Sequence, residues 1–179
     1  MKKIILSIAL AFIGHLSWSQ TSIGTYAEIS EPSTVGVSFE YKNETKKDGR
    51  TTTGLLNVGY STMTLSDGPL SVDGKGYTLQ LGGRTYYSGT KGWYGENFIT
   101  YSSVKFEETI LGTKVDGKYS YWSLINPAVG YRFDLGKYIM IDPYIGFNWK
   151  WEVKGTGIVD NKAVDNLIYK AGIKIAFKL

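Results

Sequence analysis

Cysteine is absent from this chain, and histidine occurs once, at position 15. The first absence removes disulfides, thiolate metal sites, cysteine nucleophiles and a lipid-modified N-terminal cysteine. His15 lies in an N-terminal stretch that reads as a leader, so the mature chain would carry neither residue. Ser-His-Asp catalysis, histidine acid–base chemistry and zinc sites of ordinary ligand type go with it. No metal-ligating, cofactor-binding or catalytic set is found, and the chain reads as a non-enzyme. Only 4 prolines occur. No apolar run beyond the leader approaches the roughly 20 residues a membrane-spanning helix needs, so any insertion into a bilayer must be as strands. Formal charge is +4, and loss of Lys2 and Lys3 with the leader leaves +2. That small excess, interleaved with acidic residues, gives no nucleic-acid footprint.

What is abundant points the other way. The chain holds 14 Tyr, 5 Trp and 22 Gly in 179 residues, a mixture suited to twisted strands, tight turns and aromatic belts. Residues 1–19, MKKIILSIALAFIGHLSWS, have the anatomy of a secretory signal peptide. Lys2 and Lys3 supply the charged start, Ile4 to Ile13 the apolar centre, and Ser17 and Ser19 the small residues before a cut. Residues 20–179 are then one domain.

The clearest strand is Tyr138 to Lys154. Alternate residues Ile139, Ile141, Pro143, Ile145, Phe147, Trp149, Trp151 and Val153 carry no charge, while the interleaved set includes Asp142, Lys150 and Glu152. Side chains alternate faces along a strand, so one face is apolar and the other polar. The pattern recurs at Val35–Lys42, Leu55–Thr62, Tyr77–Arg84, Ile125–Asp134 and Leu167–Leu179, and more weakly at Thr21–Ser30. Trp93–Phe106 is aromatic but alternates poorly, and its register is left open. About eight strands result, with Asp-Gly signals at Asp48-Gly49, Asp67-Gly68, Asp73-Gly74 and Asp116-Gly117 marking turns. Longer polar loops are expected at 64–75, 107–118 and 155–166, with short turns near Lys46, Gly89 and Gly136. With both ends in the periplasm, these loops and a shorter one near Glu31 face the cell exterior, and the turns face the periplasm.

The fold expected is all-β: an eight-stranded antiparallel up-and-down transmembrane β-barrel following a cleaved signal peptide. Gly82, Gly130, Gly146 and Gly172 fall mid-strand on the polar face, where small residues relieve crowding in so narrow a barrel. Tyr and Trp gather near the ends of the apolar faces, as membrane girdles require. Lipid is therefore expected against Ile139, Ile141, Ile145, Phe147, Trp149 and Trp151. Glu40, Arg84, Arg132, Asp134, Asp142, Lys150, Glu152, Lys170 and Lys174 would share the lumen, paired because buried charges must be. A soluble lipocalin-like barrel has the same alternation with the faces exchanged, and stays open as an alternative.

On these residues the chain resembles the small outer-membrane β-barrel proteins of Gram-negative bacteria, the OmpA-transmembrane, OmpX-like and OmpW-like group. The likeness rests on the leader, the dyad repeat, the segments GGRTYY, NPAVGYRFDLGKY and IDPYIGFNW, and the final strand AGIKIAFKL. It implies outer-membrane localisation by way of the periplasm, outer-membrane lipid as a partner, and envelope or surface partners reached through the outer loops. In that group the last strand usually ends on an aromatic; here Phe177 precedes the terminal Leu179 by two residues.

Remaining chemistry is sparse. Nothing matches a phosphate-binding glycine loop. The carboxylate pairs Glu107-Glu108 and Asp160 with Asp165 fall in expected outer loops, where solvated charge is ordinary. A structural or surface-interaction barrel is the leading reading. Alternatives are a narrow channel or carrier for a small apolar compound, with an interior lined by Tyr26, Leu55, Tyr86, Trp122 and Tyr144, or a soluble secreted ligand-binding barrel.

Overall fold

The computed structural model describes residues 21–46, 48–67, 70–110, 113–157, 159 and 164–179. Nine strand segments follow in order: β1 (Thr21–Ile29), β2 (Ser33–Thr45), β3 (Thr51–Asp67), β4 (Leu70–Ser88), β5 (Lys91–Ile110), β6 (Thr113–Ile125), β7 (Pro127–Leu135), β8 (Ile139–Gly157) and β9 (Leu167–Lys178). All pairings are antiparallel, and β1 pairs with β9, so the sheet closes on itself. Segments β6 and β7 share one place in the ring. β5 pairs with β6 over 100–110 and with β7 over 92–97, and β8 pairs with both. The ring therefore has eight strands.

Asn126 sits at the break between β6 and β7. Its backbone N–H donates to Asn97 Oδ1 at 3.0 Å and its side-chain amide donates to Thr100 Oγ1 at 2.7 Å. Asn97 Nδ2 also donates to the Leu124 carbonyl at 3.2 Å, so the Asn97 side chain satisfies both a backbone N–H and a backbone C=O that the interrupted ladder releases. The break also lets the inward parity change from odd positions (Tyr121, Ser123) to even ones (Asn126, Ala128).

Chain ends and tight turns share one end of the barrel. Ser22 lies beside Lys178, and the connections 46–50, 89–90 and 136–138 are short. Gly89 and Gly136 take φ of 64° and 71° there, a region closed to most side chains. At the far end the segments 64–75 and 107–118, expected as loops, are paired strand. β3 and β4 run together to Asp67 and Leu70, and β5 and β6 to Ile110 and Thr113.

The reason these extensions escape a search for alternation is a change of polarity without a change of parity. Low on β3, Leu56, Val58 and Tyr60 are exposed while Asn57 and Ser61 are buried; higher up, Thr62 and Thr64 are exposed and Met63 is buried. On β4 the exposed residues pass from Leu79 and Tyr77 to Lys75 and Asp73, and the buried ones from Gln80 and Thr78 to Val72. On β5, exposed Ile99 gives way to Lys105 and Glu107, and buried Thr100 to Val104 and Phe106. Below this level the barrel is apolar outside and polar inside. Above it the barrel is built like a soluble protein.

Candidate functional site

The enclosed face is layered. Nearest the chain ends is an ion-paired floor. Arg84 on β4 donates from Nε and Nη2 to Glu96 Oε2 at 2.9 and 2.7 Å, and from Nη1 to Asp142 Oδ2 at 2.6 Å. Arg132 on β7 donates from Nε to Asp142 Oδ1 at 2.8 Å, and its Nη2 reaches both Asp142 and Glu40. Glu40 also accepts from Thr53 Oγ1 at 2.7 Å and from the Tyr86 hydroxyl at 2.8 Å. Lys174 donates to both oxygens of Glu96, at 3.3 and 3.1 Å. The Arg84 guanidinium lies 3.8 Å from the Tyr94 ring centroid, a cation–π contact between two fully buried side chains.

One layer up, Tyr144 donates to Glu28 Oε2 at 3.0 Å, and Lys170 Nζ lies 3.7 Å from the same oxygen. A ladder of hydroxyls, Thr34–Ser61–Thr78–Ser102, crosses four strands at 3.0, 2.7 and 2.9 Å. Across both layers, four buried carboxylates (Glu28, Glu40, Glu96, Asp142) meet four buried cations (Arg84, Arg132, Lys170, Lys174). Charge in these two layers is balanced, which is the condition for tolerating it out of water.

Above the ladder the interior is apolar. Met63, Val72, Val104, Phe106, Tyr119 and Tyr121 form one cluster, covered by Val159 and Val164 from the β8–β9 connection. Lys150 is fully buried beneath it. It donates to the Glu31 carbonyl at 3.2 Å and has its ammonium 5.7 and 5.6 Å from the Tyr119 and Tyr121 rings.

Seven of the nine residues expected in the lumen, Glu40, Arg84, Arg132, Asp142, Lys150, Lys170 and Lys174, lie on this enclosed face. Asp134 does not: it is exposed, because β7 reaches the rim two residues before the Gly136 turn. Glu152 is half-buried higher on β8, on the inward side opposite buried Tyr121 and above the ion-paired floor. Two members of the network, Glu28 and Glu96, were missing from the sequence reading. Glu28 shows on the polar face of weakly alternating β1. Glu96 sits in the strand whose register was open, since inward Tyr94 and Phe98 blur the polar face.

Of the expected lipid-facing set, Ile139, Ile145, Phe147, Trp149 and Trp151 are exposed. Ile141 is half-buried, flanked across the sheet by Phe133 and Ile175. Among the residues named for an interior pocket, Tyr26, Leu55, Tyr86 and Tyr144 point inward, but Trp122 is 46% exposed. It packs on Tyr101, ring centroids 4.9 Å apart, outside the barrel. Glu107 and Asp165 are exposed. The leader, Asp160 and the Glu108 side chain lie outside the described residues. A cavity of about 30 Å³ opens at the floor beside Ser22, Glu40, Thr53, Arg132 and Met140.

No protein-family model matches the sequence, and no curated protein matches it. Solved structures of small Gram-negative outer-membrane β-barrels are similar to it. Ail, the attachment invasion locus protein of Yersinia pestis, solved with the heparin analogue sucrose octasulfate, is 15% identical with a TM-score of 0.49, over 90% of this chain and 97% of that one. The N-terminal β-barrel domain of Pseudomonas aeruginosa OprF is 9% identical with a TM-score of 0.48, over 90% and 98%. Neisserial surface protein A is 9% identical with a TM-score of 0.46, over 89% and 95%.

Proposed function

We propose that this chain is an integral outer-membrane barrel, exported through a signal peptide and the periplasm, with a filled interior and a structural or surface-interaction role rather than a catalytic one. The observation that carries this is the exposed belt. Tyr41, Tyr87, Trp93, Phe133 and Tyr138 are exposed near the chain ends, and Tyr60, Tyr77, Trp122, Trp149 and Trp151 toward the far end. Between these aromatic rings the exposed side chains include Val37, Val58, Leu79, Leu81, Ile99, Val129, Ile145 and Ile173, with Asn97, hydrogen-bonded to Leu124 and Asn126 at the β6–β7 break, a polar exception. From Tyr77 to Tyr87 is ten residues of β4, about 33 Å at roughly 3.3 Å per residue. Inclined at about 40°, that spans about 25 Å, the height of a barrel's hydrocarbon band.

Water would be a poor solvent for such a surface, which argues against the soluble ligand-binding barrel. The interior argues against a channel or carrier. Its charges are paired, its far end is packed with apolar rings, and the floor cavity has room for about two waters. Contact with envelope or surface partners falls to the strands that rise past the belt.

The test is extraction and heat modifiability. The mature protein is expected to stay with carbonate-washed membranes and to run at two mobilities on a detergent gel, unboiled and boiled. Release into the soluble fraction would overturn the reading.

A further inference from the structure

The level at which the barrel changes polarity carries a row of lysines. Thr62 on β3 pairs with Lys75 on β4, Lys75 with Lys105 on β5, and Lys105 with Lys118 on β6. Three ammonium-bearing residues thus occupy directly opposed positions on adjacent strands. Lys75 and Lys105 are exposed and Lys118 half-exposed, all on the outer face. Lys154 on β8 joins them one step lower, opposite Ser120. Immediately beneath lie the rings of the upper aromatic belt: Tyr77 two residues from Lys75, with Tyr101 6.1 Å from it and Trp122 next in line at 4.9 Å.

Opposed like charges destabilise a sheet, and the carboxylates of this face stand one step higher, with Glu107 opposite Asp116, so no carboxylate shares the level of the lysines. Among the described residues, no ion pair joins Lys75, Lys105 or Lys118 to a carboxylate, although Asp73, Glu107 and Asp116 lie two residues farther along the same strands. Asp73 is itself engaged by the Thr64 hydroxyl, at 2.7 Å.

We propose that this row is a phosphate-binding ladder for the headgroups of outer-leaflet lipid. The inference rests on the membrane-barrel reading, which sets the height: aromatic rings mark the boundary of the hydrocarbon, and the first row above them meets headgroup phosphates. Adjacent strands are about 4.8 Å apart, so the three ammoniums span about 10 Å. A lipid bearing two phosphates on a disaccharide matches that width better than one carrying a single phosphate. Flexible lysines suit the task, since phosphates in a fluid leaflet demand point charge rather than a fixed fork.

The experiment uses the full mature chain refolded in detergent and transferred to nanodiscs of phosphatidylcholine, with or without bis-phosphorylated lipid A. The variant Lys75→Gln/Lys105→Gln/Lys118→Gln is compared with Lys91→Gln/Lys137→Gln, which alters exposed lysines at the opposite end. Each lysine near an anionic surface contributes about fivefold in affinity, so retention of lipid A by the triple variant is expected to fall on the order of 100-fold. The control variant is expected to match wild type. In plain phosphatidylcholine the triple variant should unfold at a higher temperature than wild type, because repulsion is gone; with lipid A the order should reverse.

Equal lipid A retention by wild type and triple variant would overturn the proposal, as would equal retention of a phosphate-free lipid A. Displacement by dilute inorganic phosphate, beyond that by chloride of equal ionic strength, would assign the row to a free anion and overturn the lipid assignment. Heat modifiability of the same samples is read separately. Its loss in wild type would overturn the barrel reading itself, whereas its persistence with unchanged lipid retention would sink the ladder alone.

Discussion

Arg132 on β7 and Asp142 on β8 form a two-point ion pair at the barrel floor, Nε to Oδ1 at 2.8 Å and Nη2 to Oδ2. Asp142 Oδ2 also accepts from Arg84, at 2.6 Å. One buried carboxylate therefore holds two guanidiniums from opposite sides of the sequence. Removing it as Asp142→Ala leaves two buried cations short of an anion, at a cost of about 3–5 kcal/mol. Asp134→Ala, on the exposed rim, should change stability by no more than about 0.5 kcal/mol. Urea unfolding of the refolded barrel, followed by gel mobility, compares them. Equal midpoints would mean that the floor network adds nothing to the fold.

Ile145 is 63% exposed at mid-height on the outer face. In lipid, Ile145→Arg is expected to cost about 2–4 kcal/mol, the range for a cation at the bilayer midplane. Thr64→Arg, above the change of polarity, should be near neutral. The same pair measured in zwitterionic detergent and in bilayers also tests which face meets lipid. A neutral Ile145→Arg in bilayers would put that face in water.

Gly130 lies under the Tyr94 ring, and a Cβ there would meet Tyr94 Oη and Cζ and the Pro143 carbonyl. Overpacking of this kind costs about 1–3 kcal/mol, so Gly130→Ala should lower the unfolding midpoint. Gly54 has open space where its Cβ would be. Gly54→Ala is expected to add about 0.4–1 kcal/mol of stability and so raise the midpoint, through the unfolded chain's lost freedom. Midpoints that move together would show that the pit under Tyr94 is not tight.

Phe106 is buried in the apolar cap with Met63, Val104 and Tyr119. Phe106→Ala should remove about 3–5 kcal/mol from that cap. Because the cap stands above the belt, the loss should appear as local opening. Trypsin cleavage of the folded protein at Lys105 or Lys118 is expected to speed up while the heat-modified mobility of the barrel persists. A global loss of mobility shift would instead make the cap part of one cooperative unit.

The alternation of β8 was legible in the sequence because one face meets a uniformly apolar medium and the other a uniformly polar interior. The same holds for β2, β7 and β9, and it sufficed for an eight-stranded ring and for most of the floor network. Two kinds of feature stayed hidden. Glu96 was masked because Tyr94 and Phe98 share its inward face, and a buried ring beside a buried charge has no period that residue type reveals. The paired extensions of β3–β6 read as loops because their apolar residues turn inward above the belt, so that polarity inverts while parity holds.

Residue order alone determined which side chains share a face, since that follows from the two-residue period of any strand. Only the closed sheet decided which strands stand at the same height. Register between strands distant in sequence is set by ring closure and by the bulges at Lys42/Glu44 and Ser120/Tyr121. That register joins Glu28 to Lys170 and Glu40 to Arg132 inside, and brings Lys75, Lys105 and Lys118 into one row outside.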